Sequence, residues 1–194
     1  MPVIEAHAAK MPNGGSMEGP QYGTSISDLF QTKALYEMST GTNLFAETAI
    51  DSYMRGSANW WAHTFLPVNN GSKRDNKILR GASPGNQSGE VRDQQRHFMV
   101  NAVRAYPDLE YGPEMKRMIT TGELGDAYQS NHYWTLTAEH LALPALDSIT
   151  TPADLSGMDR MHAATQAGDT VFRSDWDDAS GTVLHMSTSE MHNG

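Results

Sequence analysis

Apolar side chains recur every three or four positions in several blocks of this chain, and most blocks are bounded by residues that start or stop helices. Leu29, Phe30, Ala34, Leu35 and Met38 form one stripe; Ser25-Ile26-Ser27-Asp28 reads as its capping box and Gly41 as its stop. Thr42 or Asn43 caps a second block, in which Phe45, Ala46, Ala49, Ile50, Tyr53 and Met54 share a face; this helix frays near Gly56 or runs on to Trp60 and Trp61. From Glu90 to Tyr106, the spacing of Val91, Gln95, Phe98, Ala102 and Tyr106 predicts a third helix, ended by Pro107. Pro113 opens a short fourth helix with Met115, Met118 and Ile119 on its apolar side and Gly122 as its left-handed stop.

The remaining segments carry mixed signals. Tyr133-Trp134-Thr135-Leu136-Thr137 has strand propensity, yet Tyr128, His132, Leu136 and His140 keep helical spacing, and the length of 124–143 favours helix. Thr151-Pro152-Ala153-Asp154 combines a capping hydroxyl, a proline at the first position and an early acid. It predicts a further helix with Leu155, Met158 and His162 inward and Gly168 at its end. Thr170–Ser174 and Thr182–Thr188 flank the turn-rich Asp177-Asp178-Ala179-Ser180-Gly181, which predicts a β-hairpin. The expected fold is mainly α: an irregular bundle of about five to six helices over residues 25–168, with a hairpin over 169–188. Around it lie an extended polar N-terminal arm (1–24), a long basic loop (67–89) and a polar C-terminal tail (189–194).

Composition makes the core lean. Leu, Ile, Val and Phe account for 31 of the 194 residues, below the roughly one-fifth that ordinarily supports folding. Twelve Met, seven Tyr and four Trp must supply the missing apolar mass, and thioethers and large rings suit irregular cores and contact surfaces. A chain that buries little of its own surface gains most from burying surface against neighbours. The absence of cysteine removes disulfides, thiolate metal sites and a cysteine nucleophile together. No run approaches the roughly 20 apolar residues of a membrane span, and no basic stretch followed by an apolar one opens the chain. The expected location is the cytoplasm or the interior of a virion.

Charge is segregated along the chain. The net charge of −9 divides into −3 over residues 1–72, +4 over 73–104 and −10 over the rest. The basic segment holds Lys73, Arg74, Lys77, Arg80, Arg92, Arg96 and Arg104. It is suited to phosphate, or to the acidic half of a neighbouring subunit, although the overall acidity and the lack of a recognition motif argue against a dedicated nucleic-acid binder.

Catalytic patterns do not survive their chemistry. Gly81-Ala82-Ser83-Pro84-Gly85 matches the nucleophile elbow in letters, but Pro84 stands where a backbone N–H must serve the oxyanion hole. His132, Glu139 and His140 are the best metal candidates on a continuous helix, yet their spacing matches no established helical site. Asp159, His162, His185 and His192 form a second, more scattered set. No nucleotide or other cofactor fingerprint occurs. Trp60, Trp61 and Tyr22 are candidate interface anchors; for the two tryptophans, burial beneath Phe65 and Leu66 is the competing expectation.

The combination of lean core, arms and separated charge points to a non-catalytic structural subunit that contacts copies of itself or other subunits. A virion component such as a phage connector, internal or capsid-associated protein is its most concrete form. The alternatives are a helical metal-binding enzyme using His132, Glu139 and His140, and a nucleic-acid-associated protein using residues 73–104.

Overall fold

The computed structural model describes residues 2–14, 23–64, 90–120, 146–176 and 181–187. Among them the chain is mainly helical, with a small antiparallel sheet at its C-terminal end. The helices are α1 (Pro2–Ala8), α2 (Gly23–Thr40), α3 (Ala49–Thr64), α4 (Glu90–Ala105) and α5 (Gly112–Thr120); the strands are β1 (Met161–Ala164), β2 (Asp169–Arg173) and β3 (Val183–Ser187). No helix among the described residues is long and apolar enough to cross a membrane.

Helices α2 and α4 pack directly on each other. Phe30 meets Phe98 edge to face at 5.1 Å, and Phe98 stacks on Trp61 of α3 at 4.9 Å; each such ring pair adds about 0.5–1.5 kcal/mol beyond its buried area. Among the described buried side chains, six methionines, three tryptophans and three tyrosines stand beside eleven Leu, Ile, Val and Phe. Sulfur and large rings therefore fill about half of the core, as the shortage of branched aliphatics requires. Met115, Met118 and Ile119 are all buried on α5.

The chain departs from the expected elements at the start of α2, where Ser25–Asp28 lie inside a helix that already begins at Gly23, and in three further places. The N-terminal segment is not wholly extended: Pro2 to Ala8 form a helix, and Ala8 and Met11 enter the core. Its proline at the first position and early Glu5 suit a helix start. The segment docks where Gly56 of α3 leaves room for the backbone of Pro12 to Gly14, so Gly56 marks a close approach, not a frayed end. Secondly, α3 begins only at Ala49. The Asn43 carboxamide oxygen accepts from the Phe45 N–H at 3.0 Å, capping a turn, and Glu47 adopts φ +61°, which interrupts helical propagation.

The third departure is a correction to the helix expected from Thr151. Residues 151–160 form turns, and Met161 to Ala164 form β1. One Asp154 carboxylate oxygen accepts from both the Ser156 N–H at 3.0 Å and the Ser156 hydroxyl at 2.5 Å. This local closure competes with the helical ladder, and Gly157 next in sequence adds no helical preference. Leu155 and Met158 are buried all the same.

The expected hairpin forms and gains β1 on its other side, giving the order β1-β2-β3. Met161 pairs with Phe172 and Phe172 with Leu184; Ala163 pairs with Thr170 and Thr170 with Met186. The α3 helix packs against β1. The segment between Leu146 and Pro152 is tied to α5, where Lys116 donates to the Ile149 carbonyl at 2.5 Å and Arg117 to the Pro152 carbonyl at 3.4 Å.

Candidate functional site

The two faces of the C-terminal sheet are chemically opposite, because side chains alternate along each strand. The inner face carries His162 and Ala164 from β1, Asp169, Val171 and Arg173 from β2, and His185 from β3. Ala164, Asp169, Val171 and Arg173 are all buried.

On this inner side the last turn of α3 delivers His63, only 1% exposed. Its ring stacks on His162 with centroids 4.8 Å apart and planes at 27°, while Tyr111 and Trp176 meet it edge-on at 5.2 and 5.5 Å. The Nδ1–H of His63 donates to the Asn59 carbonyl at 2.7 Å, leaving Nε2 as the bare nitrogen, and that atom makes no hydrogen bond of ordinary geometry. Arg173 donates to the His63 carbonyl, one of the open carbonyls at the end of α3, and its guanidinium lies 3.5 Å from the Trp176 ring centroid. The Trp176 indole N–H in turn is shared between the carbonyls of Met158 and Asp159 at 3.1 and 3.0 Å.

Electrostatics follow from this burial. Desolvation holds His63 down to about 4, the Asn59 and Asp159 backbone works in the opposite direction, and the nearby His162 and Arg173 lower it further. His162 is also lowered, again chiefly by burial. Arg173 falls to about 10 through desolvation and stays protonated at neutral pH. Burial raises the Tyr111 hydroxyl, and its hydrogen bond to Asp159 adds to the effect. The cluster is therefore one guanidinium beside two neutral imidazoles. It closes the joint between helices and sheet, and the His63 imidazole is too deeply buried to meet a substrate.

The outer face carries Met161 and Ala163, Thr170 and Phe172, and Leu184 and Met186. Met161 and Leu184 are each 53% exposed and Met186 45%, with the partly buried Phe172 between Met161 and Leu184 in register. Strands β1 and β3 are the two edges of the sheet, and among the described residues nothing pairs with the far side of β3. Its sequence, Val-Leu-His-Met-Ser, contains neither the lysine nor the proline that commonly protects such an edge.

Most of the expected site residues lie outside the described residues. Trp60 and Trp61 are 2% and 0% exposed and belong to the core, so they anchor the chain to itself. Helix α4 spans the positions of Arg92 and Arg96, whose side chains lie outside the described set, as do Tyr22, Lys73, Arg74, Lys77 and Arg80. Arg104 is partly exposed and donates to the Met38 sulfur at 3.0 Å. His132, Glu139 and His140 lie outside the described residues, as does the Gly81–Gly85 motif. Of the scattered metal set, Asp159 acts on His162, which stacks on His63, His185 lies 3.3 Å from Asp169, and His192 lies outside the described residues. Among the described residues no three His, Asp or Glu side chains are grouped to hold a metal ion. Sequence reasoning missed His63, whose place at the end of a helix, 99 positions before its stacking partner, leaves no local signal.

Comparison with protein families, with curated proteins and with solved structures finds no match to this chain.

Proposed function

We propose that this chain is a non-catalytic structural subunit of a larger assembly, in its most concrete form a virion component. Its first partner is a second copy of itself. The observation that carries this reading is the apolar outer face of the C-terminal sheet, next to the open β3 edge. Antiparallel pairing of two β3 strands about His185 sets Leu184 of one copy opposite Met186 of the other, so the exposed apolar residues match across a two-fold axis.

Size decides what else such contact needs. Three strands of about five residues present roughly 240 Å², well below the roughly 800 Å² that each partner contributes to a stable interface. The sheet therefore acts as a nucleus, and α2 offers further apolar surface in Leu35, Tyr36 and Met38, which are 52%, 41% and 74% exposed. A chain of net charge −9 repels its copies at a distance, so added salt strengthens apolar self-association. Contact between a basic segment and nucleic acid weakens under the same treatment.

Leu184→Lys and Met186→Lys together test the reading in the full chain, because both side chains point to solvent. Self-association weakens by about tenfold or more while circular dichroism is unchanged. Equal association of the variant and the parent rules out the sheet as the contact.

A further inference from the structure

We infer that the His63–His162 stack is an acid-sensitive latch: when neutral it clamps the C-terminal sheet to the helical body, and when protonated it releases the sheet. The latch operates within one chain and holds whether or not the sheet meets a partner.

The geometry disfavours charge at this point. The rings lie 4.8 Å apart, and His63 has almost no exposed surface. The Asn59 carbonyl of α3 already holds the Nδ1–H, while Tyr111 packs from the turn before α5 and Trp176 from the segment after β2. The Asn13 backbone faces His162 from the N-terminal turn. Among the charged groups of the described residues, Arg173 of β2 is bonded to His63 itself. The Asp159 carboxylate accepts from the Tyr111 hydroxyl and favours the charged form of His162, against the larger opposing effect of burial. Asp169 is taken by His185 of β3, and Arg160 turns outward to Asp175 at 3.7 Å. A proton on His63 therefore sets a new positive charge against a stacked ring and a guanidinium, and one on His162 sets it against the same stack, where water screens little. Burial outweighs the Asn59 and Asp159 backbone at His63, and the Asn13 backbone and Asp159 carboxylate at His162.

The direction with pH follows. In the released segment the imidazoles titrate near their ordinary value of about 6.5, whereas docking holds His63 near 4 and His162 below its usual range. The released form binds protons more readily between these values, so docking is strongest above about pH 6.5 and is lost as the pH falls toward 4. The pairing of α2 with α4, through Phe30–Phe98 and the Lys33 bond to the Ala105 carbonyl, lies outside the latch. Release consequently affects the sheet and spares the helical body.

Amide hydrogen exchange of the full chain, corrected for intrinsic rates, tests this at about pH 7.5 and about pH 4.5. Protection over residues 161–187 falls by about tenfold or more, and protection of α4 is retained. In the His63→Phe/His162→Phe variant, which keeps two rings but cannot be protonated, the acid step disappears. Unchanged sheet protection in the parent chain overturns the latch, as does release of the variant over the same pH range. If the variant does not fold, imidazole titration of the parent chain by NMR decides. Both rings protonating well below 6.5, together with loss of sheet protection, supports the latch, while a ring that protonates near 6.5 in a sheet that stays protected overturns it.

Discussion

Tyr106 donates its hydroxyl to the carboxylate of Asp51 at 2.8 Å, joining the end of α4 to the start of α3. Two cations also stand over its ring: Lys33 Nζ and the Arg55 guanidinium carbon, each 4.3 Å from the centroid. Lys33 donates to the Ala105 carbonyl at 2.6 Å and to Glu37 at 2.7 Å, and Arg55 reaches Asp51 at 3.1 Å and Asp108 at 3.2 Å. One phenol thus gathers α2, α3 and the turn after α4 around a single buried ring. Burial, with the adjacent Asp51 carboxylate, raises its hydroxyl above the ordinary tyrosine range, so it remains a donor throughout the physiological pH range.

Removing only the hydroxyl separates the hydrogen bond from the ring. Tyr106→Phe destabilises the fold by about 1–2 kcal/mol, toward the lower end for a bond to a carboxylate because Arg55 still pairs with Asp51. Tyr106→Leu also removes the platform for both cations and costs about 3 kcal/mol or more. Urea unfolding of the two variants measures the difference, and equal losses contradict this division of roles.

Helix propensity and packing oppose each other at Gly56. An alanine in a helix interior ordinarily stabilises by about 1 kcal/mol over glycine. Here its Cβ would stand 2.5 Å from the Asn13 carbonyl carbon and the Pro12 oxygen, both backbone atoms that cannot rotate away. Gly56→Ala therefore destabilises by about 1–3 kcal/mol and exposes Ala8 and Met11 as the N-terminal turn shifts. Gly41→Ala meets no neighbour within 4 Å and suffers only from its φ of +69°, about 1 kcal/mol. Thermal unfolding that ranks Gly41→Ala as the worse variant is inconsistent with the docked N-terminus.

The legible parts of the fold were those specified by local chemistry. Pro107 and Pro113 and the apolar spacing place α2, α4 and α5 close to their observed bounds, and the turn-rich 177–181 stretch marks the hairpin. The Ser25–Asp28 box does not start α2, because Ser27 lies inside the helix and accepts from Asn101 in the core. The misread parts depended on competition or distance. The start signal at Thr151 was genuine helix chemistry, but Asp154 spends its carboxylate on Ser156. With the helix gone, His162 moves onto a strand, and only then can it stack on His63. Strand β1 itself is four residues, Met-His-Ala-Ala, with no β-branched side chain to announce it. Trp60 and Trp61 carried an ambiguity that only the neighbours supplied by tertiary structure resolve: Phe98 stacks on Trp61, and both indoles are enclosed.

The central claim, that the chain works by meeting its own copies, is tested most directly by the mass of the unmodified full chain in solution. Light scattering across a concentration series, at low and at high salt, should find the 21.3 kDa monomer giving way to species of about twice that mass or more, sooner at high salt. A mass that stays at 21.3 kDa at every concentration and salt level contradicts self-assembly.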